Sequence, residues 1–151
     1  MATHDVLHGI GVSAGTAAAP AAIVQPAPGV DTSEPGSVDA AADGARVREA
    51  LAAVSSRLTE RAAKAPEETK AILKATAQLA GDRGLAKAVD KKLKKGLGVT
   101  QAVHDAVEDY AQMLRSLGGY MAERATDLYD VRDRAICQLR GLPEPVSALR
   151  G

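Results

Sequence analysis

From about Val38 to Leu142 apolar residues recur every three or four positions, and Pro66 is the only proline in that zone. This spacing lines one face of an α-helix, not one face of a strand. The zone must therefore fold as helices that reverse only at short breaks. The apolar residues agree in kind: the chain has 31 alanines, three Tyr, no Phe and no Trp. Ala is the best helix former and lets helices approach closely, whereas sheets favour β-branched and aromatic side chains.

The breaks divide the zone. A first helix is expected over roughly 38–65, where Val47, Leu51, Val54 and Leu58 are spaced 4, 3, 4. Pro66 ends it and suits the first turn of a second helix at about 67–80, because its missing N–H is not needed there. That helix presents Ile72, Thr76 and Leu79. Gly81 then acts as a C-terminal cap, and Asp82 caps a short third piece carrying Leu85, Val89 and Leu93. Its end, KKLKKGLG, puts Lys91, Lys92, Lys94 and Lys95 where cations complement the helix dipole. Thr100 is expected to cap a fourth helix with Val103, Val107, Tyr110, Leu114 and Leu117 on its stripe. Gly118 and Gly119 separate it from a last helix at about 120–140, with Met121, Ala125, Leu128, Val131 or Arg132, Ala135 and Leu139 facing inwards. Short connections make neighbours antiparallel. The expected fold class is mainly α: an antiparallel bundle of two helical hairpins, the second limb of the first broken near Gly81. An N-terminal strand or extended arm without a sheet precedes it.

That arm, LHGIGVSAGTAAAPAAIV at 7–24, raises the question of a phosphate loop. Gly9, Gly11 and Gly15 do not fit G-x-G-x-x-G, and no Lys-Ser/Thr pair follows. Glycines in an extended segment mark bends or close backbone approach. No Lys or Arg precedes the apolar stretch, so it does not fit a secretory signal, and no apolar run nears the ~20 residues of a membrane span. Residues 25–37, QPAPGVDTSEPGS, read as a loop or linker. The domain plan is 1–37 for strand and linker, 38–142 for the helical unit and 143–151 for a tail.

Charge sums to zero but is uneven. Residues 1–45 hold five acids and no Lys or Arg, leaving the remainder at +5. That is too mild, and too poor in aromatics, for a nucleic-acid surface. The lone Cys137 excludes an internal disulfide and a Cys-based zinc site, and suits a core or boundary position. His4, His8 and His104 assemble no metal set or triad; His104 and Glu108 form an i, i+4 pair. Arg124 with Asp127 and Asp130 with Arg134 read as salt bridges on an exposed helix face. Glu67 and Glu68 open the second helix, where acids complement the dipole. They also rim an apolar groove of Ile72, Ala75, Leu79 and Leu85 that suits a basic partner. The residues alone thus describe a helical interaction module without a catalytic constellation.

Three stretches carry a resemblance. Gly9, Ser13, Gly15 and Ala17 meet a G-x-x-x-S-x-G-x-A strand pattern. EETKAILKATAQLAGDRGL at 67–85 is similar to a Glu-Glu, Ile and Leu helix with an Asp-x-x-Leu restart. ERATDLYDVRDRA at 123–135 matches E-R-x-x-D-[VIL]-x-D-[VI]-x-x-R. In order and spacing the whole chain resembles the N-terminal part of Enzyme I, the phosphoenolpyruvate-protein phosphotransferase of the bacterial sugar phosphotransferase system.

Without a signal or a span a cytoplasmic protein is the default, and the resemblance implies a phosphorelay. In that family phosphoenolpyruvate on a C-terminal barrel, where magnesium also belongs, phosphorylates a histidine on a swivelling domain. The histidine passes the group to the histidine phosphocarrier protein docked on the helical subdomain. The phosphoryl-accepting G-G-x-x-S-H type motif does not occur here, so no catalytic residue and no cofactor is assigned, and the chain is expected to be inert alone. By position, the implied carrier-binding residues are Glu67, Glu68, Ala71, Ile72, Ala75, Gln78, Leu79, Asp82 and Leu85. Arg124 and Asp127 match a charged pair facing the swivelling domain or the carrier. Lys70 and Lys74, and the small Ala75 to Gln78 segment, depart from the family's more acidic, bulkier helix. The strand is expected to be disordered, to fold on the bundle, or to pair with a neighbouring copy through its free edge.

Overall fold

The computed structural model describes residues 6–18 and 26–144. Five helices follow in order: α1 (Ala40–Lys64), α2 (Glu67–Ala80), α3 (Arg83–Lys94), α4 (Val99–Leu117) and α5 (Gly119–Arg140). No strand occurs among the described residues. α1 packs on α2, α3 and α5, while α4 packs on α5 and α3. This is the expected pair of hairpins, with α2 and α3 forming one broken limb.

The local chemistry explains the breaks. Pro66 occupies the N-cap of α2, with φ −56° and ψ 153°. Asp82 restarts the limb: its Oδ1 accepts from Leu85 N at 2.9 Å. Asp39 likewise caps α1 by accepting from Ala41 N and Ala42 N at 3.1 and 3.0 Å. The core is aliphatic. Leu58, Leu85, Leu93, Leu128 and Ile136 are at most 1% exposed. Ala62, Ala102, Ala106 and Ala135 are fully buried among them and let the helices approach closely.

Several side chains take other places than their spacing predicts. α2 buries Thr76, Ala77 and Ala80, with Leu73 packed on the core, while Ile72 is 60% exposed. Both faces of this short helix carry apolar residues, so periodicity alone could not orient it. Leu117 and Met121 also face outwards, because the α4/α5 turn extends past its packing partners. His104 Nδ1 sits 3.1 Å from Asp105 rather than pairing with Glu108; Glu108 accepts from Tyr129 Oη.

Thr100 does not cap α4. The helix begins two residues earlier than that cap implies, at Val99 behind Gly98, and the cap comes from the linker. Glu34 Oε1 accepts from Thr100 N, Thr100 Oγ1 and Gln101 N at 2.8, 2.7 and 3.0 Å. A carboxylate at this end satisfies orphan donors and faces the positive end of the dipole. The fit is close: a Cβ on Gly98 would lie 2.5–2.7 Å from the Glu34 side chain. Asp31 N donates to Thr100 Oγ1 at 2.9 Å, Ser37 N donates to Leu97 O at 3.2 Å, and Arg140 donates to Gly29 O at 3.0 Å. The Pro-rich stretch is thus a loop bound to the bundle from Gly29 to Ser37. Replacing Glu34 by Ala should lower stability by about 1–2 kcal/mol, the upper part of the capping range, because one oxygen serves two amides and a hydroxyl. Urea unfolding of the variant measures this; an unchanged midpoint refutes the cap.

Residues 6–18 form no helix or strand and are exposed throughout, with Leu7, Ile10 and Val12 above 90%. The part of the expected strand at 19–24 lies outside the described residues.

Candidate protein-docking surface

The contacts Ser37–Leu97, Arg48–Asp90 and Arg140–Gly29 gather the start of α1, the ends of α3 and α5 and the start of α4. Both hairpin tips, at 65–66 and at Gly118, therefore lie away from that junction. Pro66 starts α2 so that Glu67 and Glu68 open it, both exposed at the first tip. At 100° per residue, Ala71, Ala75 and Gln78 run down the middle of the outward face. Glu67 and Lys74 flank one side; Glu68, Ile72 and Leu79 flank the other. Ala71, Ile72 and Gln78 are exposed, while Ala75 and Leu79 are half-buried. The centre of this face is small and apolar, and its start is acidic.

Its charges are lightly engaged. Lys70 Nζ lies 3.4 Å from Glu67 Oε2, an i, i+3 pair in which Glu67 remains 88% exposed. Such a pair is screened and contributes little to stability, which leaves Glu67 available to a partner. Asp82 is half-buried and occupied: beyond its cap it accepts from Tyr110 Oη at 3.2 Å. Burial and the Asp82 charge push the Tyr110 phenol up from its ordinary value, so it stays a donor at neutral pH. Leu85 is 0% exposed. It supports this limb from beneath and lines no surface, because the restart at Asp82 turns it into the core. That corrects its expected place in the groove.

Arg124 and Asp127 do pair, at 3.3 Å, and Arg124 Nη1 also donates to Tyr120 Oη at 2.9 Å. Around that second tip Met113, Leu117, Tyr120 and Met121 are 41–67% exposed. Four large apolar side chains at one tip form a patch of the sort that marks interaction sites. Spacing assigned Leu117 and Met121 to the core, so the sequence reading missed them. The only signal was the Gly118-Gly119 break, which carries them beyond the packed part of the bundle.

No reactive set accompanies this surface. Among the described residues no group of three or more His, Cys, Asp and Glu can hold a metal. Cys137 is fully buried, and burial, then the charges of Glu144 and Asp133, push its thiol up, away from the reactive thiolate. No helix among the described residues is long and apolar enough to cross a membrane.

The sequence profile of the N-terminal region of PEP-utilising enzymes matches residues 8–124. The chain belongs to that family. A phosphoenolpyruvate-protein phosphotransferase of Streptomyces coelicolor is 37% identical over 107 residues, 71% of this chain and 19% of that protein. One of Haloferax volcanii is 34% identical over 96 residues, 61% of this chain and 17% of that protein. Among solved structures, the N-terminal domain of Enzyme 1 - Nitrogen superposes with a TM-score of 0.61 at 27% identity, over 72% of this chain and 48% of that one. The solution structure of an Enzyme I protein, nEIt, gives 0.60 at 30% identity, over 71% and 47%. The chain thus spans about a fifth of the curated relatives it matches. Its helical hairpins are those of an Enzyme I N-terminal domain, and its relatives are phosphotransferases.

Proposed function

We propose that this helical unit docks the histidine phosphocarrier protein of a cytoplasmic phosphoenolpyruvate-dependent phosphorelay. The observation that carries the reading is the outward face of α2. Glu67 and Glu68 stand exposed at its start, and Ala71 and Ala75 leave its centre low enough for close backbone approach. Ile72 offers a large apolar side chain, 60% exposed, beside them. The Met113, Leu117, Tyr120 and Met121 patch adds exposed apolar area at the tip between α4 and α5. In this reading the chain binds and positions. Phosphoryl transfer depends on in-line placement of donor and acceptor, and the phosphohistidine, the phosphoenolpyruvate and its magnesium would belong to other domains of the enzyme. The chain on its own would transfer no phosphoryl group.

Titrating the chain with the phosphocarrier of the same organism should give saturable binding. Glu67→Lys with Glu68→Lys should weaken it about tenfold or more, as expected when charges that complement a partner are reversed. Absence of saturable binding by the unmodified chain sinks the reading.

A further inference from the structure

The outward face of α3 is cationic along its whole length. Leu85, Val89 and Leu93 turn into the core. At 100° per residue, Arg83, Lys87, Lys91 and Lys94 lie opposite them, with Lys95 at the edge. All five are exposed. Nothing within the described residues neutralises this row. Asp82 is committed to its cap and to Tyr110. Asp90, on the flank, holds Arg48 at 2.9 Å, and the one paired lysine of the run, Lys92, turns aside to Asp109 at 2.6 Å.

Folding accounts for only part of this arrangement. Arg83, Lys87, Lys91 and Lys95 are spaced i, i+4, and like charges at that spacing oppose a helix. Lys91, Lys94 and Lys95 suit the C-terminal end of the dipole, but Lys87 lies mid-helix and Arg83 sits in the first turn, at its positive end. α3 continues the limb begun by α2, so one limb opens on the acids Glu67 and Glu68, continues over an apolar middle of Ala71, Ile72, Ala75 and Leu79 flanked by Lys70 and Lys74, and is basic without an intervening free acid from Arg83 onwards. The acidic and basic ends are separated by α2, about 20 Å at 1.5 Å per residue.

We propose that the partner of this limb is charge-polarised: a cationic patch meets Glu67 and Glu68, and carboxylates meet Arg83, Lys87 and Lys91. The inference rests on the docking reading and names the partner surface it requires. Opposed charge at the two ends fixes the register of the complex, because a reversed partner sets like charges together at both ends. A protein is favoured over other polyanions by the surface itself. α3 has no aromatic side chain on which bases could stack, and no exposed large apolar residue to enter a lipid layer.

The test is calorimetric titration of the chain, and of Arg83→Glu with Lys87→Glu, with the same phosphocarrier at low and at physiological salt. Both positions are exposed and outside the core, and circular dichroism checks that the helices remain. The expected result is about a tenfold or greater loss of affinity at low salt, shrinking as salt is raised, the behaviour of screened surface charges. Retained binding with unchanged or higher affinity in the variant overturns the polarised partner and leaves the docking reading standing. Failure of the unmodified chain to bind overturns both.

Discussion

Arg134→Ala should cost the protein about 3–5 kcal/mol, the range for removing one member of a buried charge group. The Arg134 side chain is 7% exposed, although its spacing from Asp130 suggested an ordinary exposed pair. Its Nε donates to Asp130 at 2.8 Å and its Nη1 donates to Glu144. Glu144 also accepts from Arg57 Nε at 2.7 Å, and Arg57 Nη1 donates to Gln138 at 3.0 Å. Burial alone would pull the Arg134 pKa down; the hydrogen bonds and charges of Asp130 and Glu144 outweigh it, and the group stays charged. Removing the guanidinium takes one of the cations from the part-buried Glu144, which keeps Arg57, and loosens the hold of α5 on residues 142–144. For a chain of this size the loss corresponds to a fall in melting temperature of roughly 6–20 °C. If Arg134→Ala fails to fold, Arg134→Lys, which keeps the charge and loses the fork, should fold with a smaller deficit. A melting temperature unchanged in both variants would remove the network from the account of stability.

Leu85→Ala should cost about 2–5 kcal/mol, as deletion of a fully buried leucine leaves a cavity that its surroundings only partly fill. Leu85 is 0% exposed in the central cluster, at the start of α3. It is the residue on which the resemblance and the structure differ most, so its partner is Ile72→Ala. Ile72 is exposed and should change stability by less than about 0.5 kcal/mol, while weakening phosphocarrier binding about tenfold if it anchors the docking face. Unfolding curves and titrations on both variants separate the roles. Leu85→Ala with full stability and lost binding would return Leu85 to the surface and contradict its burial.

The contrast between these two residues shows what was legible. α2 was expected at about 67–80 and lies at Glu67–Ala80; the restart at Asp82 and the hairpin plan also follow from local signals. Proline, glycine and a capping aspartate act within a few residues, so their effects are written in the chain beside them. Other features depend on packing. Ile72 and Leu73 compete for the inside of α2, and only the placement of α1 and α5 decides between them. Ala77 and Ala80 win buried places that apolar spacing would give to larger residues, because closely approaching helices leave no room for more.

The opening arm and the linker divide in the same way. The N-terminal motif resembled that of the family, and the family holds: the profile match begins at residue 8. The bonds that tie Glu34 to Thr100 and Gln101 span 66 and 67 residues, and no local pattern can announce a cap supplied from such a distance. Sequence by itself determined the helices, their breaks and their hairpin order, since each rests on short-range sterics and periodicity, and its motifs carried the resemblance that gave the kinship. Tertiary structure alone decided which apolar residues face outwards, that Arg134 is buried between two carboxylates, and that among the described residues no carboxylate comes to pair the cations opposite the core side of α3. Those outcomes depend on which surfaces meet once the helices have packed.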